Sequence, residues 1–331
     1  MTSPSKLSNA SVHAADHVLF PEISYTSFTY PGDEEALAAL KSVPGAGALL
    51  GWLEANFSEQ ITYLNNNEQM IRASENNYAS LHALVARCCD ILSCPVPEVY
   101  ITTDPVMNAY TAGNRRTCIV LHSALVESLT PDELCFAIGH EIGHIKAAHG
   151  LYRQLGDMLI RYWDILSSVV PIPGIGLLRF PLLIAYWEWY RRAEFTCDRA
   201  GLLCVQNAKP GLNALAKLAG KIDGYEDEMK IDAAIAQTEV HNDVNKLVLL
   251  VSIIENASNT HPFIPVRLKA LKEFEASEAY REILDGNYKR EAPRLPNASE
   301  PAPKIDTAQL AAAGAEKVDK WKNAASGLFK R

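Results

Sequence analysis

Three histidines and a glutamate fall within the thirteen residues IGHEIGHIKAAHG (Ile138–Gly150). Neutral imidazoles are ligands for a transition metal, and a carboxylate beside them can take a proton from water. Metal-assisted hydrolysis is the chemistry such a cluster offers, provided its members share one face of one element. At about 100° per residue His140 and His144 lie about 40° apart, one helical turn removed, with Glu141 on their flank. By the same count His149 stands about 180° from His140 and falls outside the site. A pair of hydrogen-bonded core histidines would show the same H-E-x-x-H spacing, so the pattern asks for a third ligand elsewhere. The long metzincin form does not supply one, because Ala147 and Gly150 occupy the places of its glycine and third histidine.

The helix that must carry these residues is well marked. Thr130 can cap it, Pro131 suits the first helical position, and Glu133 completes a capping box. Leu134, Cys135, Ile138, Ile142 and Ile145 form an apolar back, and Ala137, Ala147 and Ala148 leave room beside the imidazoles. Gly139 and Gly143 each cost about 1 kcal/mol against alanine inside a helix, which predicts the close approach of another element.

RRAEFTCDRAG (Arg191–Gly201) is the candidate for that second element. A helical run opening near Pro181 places Trp187, Arg191, Glu194 and Asp198 on one face. Glu194 completes a His₂Glu site for one Zn²⁺ per chain, with the fourth position open to water. Asp198, one turn on, can accept the free N–H of a ligating histidine and fix its tautomer. An i, i+3 ion pair from Arg191 to Glu194 would compete with that role.

The rest of the 331 residues bounds the answer. With 48% hydrophobic and 21% charged residues the chain reads as globular, and a net charge of −8 excludes the basic face of a nucleic-acid partner. Seven cysteines without framework spacing, and no secretory signal, fit a cytoplasmic protein, with the inner membrane face as a peripheral location. The most apolar segment, residues 158–189, has its longest charge-free run over Ile165–Leu178, where Pro171, Pro173 and Gly174 interrupt it. A buried or membrane-lying hairpin fits that run better than a span.

The expected organisation is a disordered stretch over residues 1–20, a helical region over 21–95, a domain carrying the zinc site over 96–290, and a Pro-rich linker with a last helix over 291–331. PVPEVYITTD, NAYTAG and TCIVL predict a sheet of two or three strands, so the fold class is mainly α with a small β-sheet (α+β).

GHEIGH followed by EFTCDRAG resembles the gluzincin metallopeptidases related to HtpX and the type I CAAX prenyl proteases, over roughly Pro95–Leu271. NAYTAG is similar to the family's edge-strand element, TPDELCFAIGHEIGH to its active-site helix, and THPFIPVRLKAL (Thr260–Leu271) to its late His-Pro segment. YPGDEEALAALKSVPG resembles the leader of soluble bacterial members. Clear transmembrane helices, present in HtpX-like proteins, are not evident in this sequence.

The resemblance implies a zincin-like fold in which His140, His144 and Glu194 bind Zn²⁺ and Glu141 moves the proton of the attacking water. It implies an edge strand beginning at Asn108 and Ala109 to which a polypeptide substrate adds, and it places His261 near the cleft, as an oxyanion or zinc neighbour or as a plain helix terminator. The expected function is a zinc endopeptidase for unfolded or damaged proteins. The alternative is a chaperone-like or peptide-binding module with a latent or structural zinc site. The 158–189 hairpin or the basic, amphipathic C-terminal helix offers peripheral membrane contact.

Overall fold

Two runs of β-branched and aromatic residues, EVYIT and CIVLH, pair in parallel in the computed structural model. The structure describes residues 17–43, 45–47, 49–50, 59–113, 116–150, 152–153, 156, 163, 179–221, 224, 228–238 and 264–292. In chain order the elements are α1 (Asp33–Ser42), α2 (Glu59–Gln69), β1 (Ile71–Ala73), α3 (Ala79–Leu92), β2 (Glu98–Thr102), β3 (Ala109–Ala112), β4 (Cys118–His122), α4 (Ser123–Ser128), α5 (Pro131–Lys146), α6 (Arg179–Val205), α7 (Ala208–Ala219), α8 (Ile231–Ala236), α9 (Ile264–Glu275) and α10 (Glu278–Leu284). The fold is mainly α with one small mixed sheet.

The sheet runs β1-β2-β4-β3. β2 and β4 are parallel with Val99 opposite Ile119, while β3 returns antiparallel along β4 with Ala109 opposite Leu121. Among the described residues the NAYTAG strand is therefore an edge. The fourth strand, β1, was not among the two or three expected. Three residues between two helices are too few for a period-2 pattern to register, and only pairing with β2 reveals them.

Thr130 starts α5 as its sequence requires. Its hydroxyl accepts the Glu133 N–H while the Glu133 carboxylate accepts the Thr130 N–H at 2.9 Å, and Pro131 occupies the first turn. The helix buries its apolar back in the main core, with Leu134, Cys135, Ile138 and Ile142 all buried.

Against α5 lies α6, and the two glycines make the crossing. A Cβ on Gly139 would stand 2.7 Å from Cys204 Sγ and 3.0 Å from Gly201 Cα; one on Gly143 would stand 2.9 Å from Ala200 Cβ and 3.0 Å from Cys197 Cα. Backbone and small side chains, which cannot swing aside, fill the space. Gly143→Val is thus expected to push the helices apart and destabilise the protein by on the order of 3 kcal/mol. The denaturant midpoint checks it, and a midpoint equal to the parent's would mean the crossing is not tight.

The first turns of α6 carry an aromatic stripe. Tyr186, Trp187, Trp189 and Tyr190 are buried in a second cluster with Ala36 and Leu40 of α1. The described end of the apolar 158–189 segment is therefore internal core. Among the described residues no helix is long and apolar enough to cross a membrane.

Residues 17–20, expected with the disordered stretch, are instead tied to the body. Val18 N–H bonds to Gln206 Oε1 at 3.0 Å, and the buried Phe20 bonds to the Ile91 carbonyl at 2.9 Å. Residues 1–16, the charge-free run 165–178, His261 and the tail from residue 293 lie outside the described residues.

Candidate metal centre

Where α5 and α6 cross, their polar faces meet and are almost dry: His140 is 3% exposed, His144 0%, Glu194 0% and Asp198 2%. The two Nε2 atoms of His140 and His144 are 3.2 Å apart. Glu194 reaches both, with Oε2 3.5 Å from His140 Nε2 and Oε1 3.3 Å from His144 Nε2. A tetrahedral ion with bonds of about 2.0–2.1 Å has ligand atoms about 3.3–3.4 Å apart. The two imidazole nitrogens and the two Glu194 oxygens lie at nearly that spacing, so the three side chains fit a zinc-sized cation.

Charge supports the same fit. Burial, then the charge of Arg153, pushes His144 well below its ordinary value, so its ring stays neutral and keeps a lone pair for a metal. The carboxylates of Glu141, Glu194 and Asp198 face the guanidinium groups of Arg153 and Arg267. Three acids against two bases favour a cation among the imidazoles.

Asp198 lies behind His140, its Oδ1 2.9 Å from His140 Nδ1. Burial alone would raise its carboxyl, but Arg267 and His140 outweigh burial and hold it below the usual range. Arg267 comes from α9 and is 2% exposed. It donates through Nε and Nη2 to the two Asp198 oxygens at 2.8 and 2.6 Å, and its Nη1 pairs with Glu194 Oε2 at 3.0 Å. Arg191, the competitor foreseen for Glu194, pairs with Glu188 at 2.9 Å.

Glu141 turns toward the sheet. The Thr111 hydroxyl donates to its Oε2 at 2.7 Å, and Arg153 Nη1 lies 3.6 Å from the same oxygen. Ala109, the first residue of β3, lines a cavity of about 30 Å³ together with His140, Glu141, Leu125, Phe136 and Leu215. Asn108 is buried just before the strand, its carbonyl accepting the His122 N–H at 3.0 Å.

A second donor group, His144, His149 and Cys197, also converges. Burial, then the charge of Glu194, pushes the Cys197 thiol well above its ordinary value, which favours the thiol over the thiolate that a metal binds.

The sequence reading missed Thr111, took Arg267 as structural and set His149 outside the site, yet all three are neighbours of it. Arg267 shares the buried face of α9 with Ile264, Leu268 and Leu271, and a lone charge on an apolar helical stripe was the available signal. Thr111 alternates with Ala109 on the buried side of β3, a signal carried by the strand's period of two. His149 was placed opposite His140 by helical arithmetic, yet α5 ends at Lys146 and Ala148 turns back at φ 54°. That reversal sets His149 Nδ1 3.0 Å from His144 Nδ1.

Known proteins share this chain's pattern. The family model described as peptidase family M48 matches residues 75–275. The plastoglobule-localized metallopeptidase 48, chloroplastic, of Arabidopsis thaliana is 29% identical over 276 residues, 82% of this chain and 78% of that protein. Protease HtpX homolog 2 of Methanosarcina acetivorans is 23% identical over 258 residues, 69% of this chain and 83% of its own. The protease HtpX homolog of Tropheryma whipplei (strain Twist) is 25% identical over 240 residues, 66% and 79% of the two chains. A match across more than half the chain, including the whole of α5 and α6, settles the assignment: this chain belongs to peptidase family M48 and is a metallopeptidase of the HtpX-like gluzincin group.

Proposed function

We propose that the chain is a zinc-dependent endopeptidase for unfolded or damaged polypeptides. The observation that carries this reading is the convergence of His140, His144 and Glu194, with Glu141 lining the same cavity as His140. His140, His144 and Glu194 would hold zinc, which would supply Lewis acidity at a scissile carbonyl and acidify a water. Glu141 accepts the proton of that water and returns it to the leaving amine. The Thr111 hydrogen bond fixes Oε2 of Glu141, and with it the direction of the other oxygen. Asp198, anchored by Arg267, keeps the His140 proton on Nδ1 so that Nε2 faces the metal.

Substrate recognition follows from the edge strand. A polypeptide adding along β3, which begins at Ala109 after Asn108, would be read by its main chain, with little demand on sequence. The small apolar cavity that Ala109 shares with His140 and Glu141 would take a small apolar side chain next to the scissile bond. Extended main chain and exposed apolar side chains occur together in unfolded proteins, whereas compact domains hide both.

The test is cleavage of reduced, unfolded casein beside a compact protein of similar size. Cutting of casein alone, stopped by a zinc chelator and restored by zinc, is the expected outcome. Cutting that survives chelation, or an untouched casein with zinc in place, would sink the reading.

A further inference from the structure

The proposed reaction leaves one buried histidine of HEIGHIKAAH unused, and that histidine touches a ligand directly. Ala148 adopts φ 54°, which non-glycine residues seldom do, and so turns the chain back onto the end of α5. The His149 N–H then bonds to the His144 carbonyl at 3.0 Å. Its ring, 2% exposed, packs edge-on against Trp189, with centroids 5.3 Å apart at 87°. Its Nδ1 lies 3.0 Å from His144 Nδ1 and 3.7 Å from the Cys197 sulfur.

A hydrogen bond between two neutral imidazoles needs one N–H and one lone pair. His144 can turn an Nε2 lone pair toward His140 and Glu194 only when its own proton is on Nδ1. His149 Nδ1 must then be the acceptor.

We propose, resting on the zinc reading above, that His149 is a positioning residue for His144: it accepts the His144 Nδ1–H, fixes that tautomer and aims Nε2 at the metal. Asp198 does this for His140 with a charged acceptor tied to Arg267. A carboxylate raises the basicity of the ligand in front of it more than a neutral ring does, so the two histidines are backed unequally. His144 is the ligand whose hold depends more on orientation alone.

His149→Phe keeps a ring against Trp189 and removes the acceptor, while His149→Asn keeps an acceptor oxygen near the Nδ1 position. Zinc affinity is read by competition with a chelating dye on the full chain, together with zinc stoichiometry and the Tm of the zinc-free protein. His149→Phe is expected to weaken zinc binding by about 10- to 100-fold at an unchanged zinc-free Tm, with His149→Asn recovering most of the loss. A His149→Phe protein that binds zinc as tightly as the parent overturns this proposal and leaves the zinc reading standing. Equal weakening in both variants, with an equal fall in zinc-free Tm, also overturns it and makes His149 a packing residue. Two zinc ions in the parent, one of them lost in Cys197→Ser, would make His149 a ligand rather than a ligand's partner. A parent that binds no zinc overturns both readings together.

Discussion

Glu141→Gln is expected to keep its zinc and lose about 10³-fold in kcat/KM on an unfolded substrate. The substitution changes almost nothing but proton affinity. Glutamine has the same shape, and its amide oxygen can still accept the Thr111 hydroxyl that now bonds to Oε2 at 2.7 Å. Glu141 is 1% exposed on a helix fixed at its start by the Thr130–Glu133 box, so the side chain has nowhere else to go. What is lost is the acceptor for the proton of the attacking water, a contribution of about 10²–10⁴-fold where it has been isolated. Steady-state kinetics on a casein-derived peptide, with zinc content by elemental analysis, check both halves. A rate within tenfold of the parent at equal zinc content would remove Glu141 from the reaction.

Arg267→Met is expected to cost the largest share of stability. The guanidinium is fully buried and meets two carboxylates that are as deeply buried, at 2.6 and 2.8 Å on Asp198 and 3.0 Å on Glu194. Methionine matches much of its volume and none of its charge. Two buried acids then lose their counter-charge, and breaking such a pair from one side costs about 3–5 kcal/mol. Zinc would offset Glu194 but not Asp198, so added zinc should restore only part of the loss. Denaturant melts with and without zinc measure both. A loss below about 1 kcal/mol in the zinc-free protein would show that Arg267 is not the counter-ion of the cluster.

The parts of this architecture written in local sequence were legible. Thr130-Pro131-Asp132-Glu133 spells a helix start, and the 3.6-residue period brings His140 and His144 onto one face. The same period in the second segment puts Glu194 and Asp198 one turn apart. Gly139 and Gly143 signalled a close crossing because their helical cost needs compensation, and the crossing partner is the helix that carries Glu194 and Asp198.

What stayed hidden depends on contacts between distant segments, or on where a helix stops. Arg267 joins the cluster from α9, 69 residues beyond Asp198, and no local pattern reports its partner. β1 exists through its pairing with β2. His149 was misplaced because 100° per residue holds only inside a helix, and the left-handed turn at Ala148 is an alanine, which sequence gives no reason to suspect.

The central claim is that His140, His144 and Glu194 hold one zinc ion. X-ray absorption at the zinc edge, on the purified parent and on Glu194→Gln, tests it most directly. One zinc per chain is expected in the parent, with two imidazoles and oxygen ligands at about 2.0–2.1 Å, and a much weaker hold on zinc in Glu194→Gln. A sulfur ligand at about 2.3 Å would place the ion with Cys197 instead. That result, or full zinc retention in Glu194→Gln, would contradict the claim.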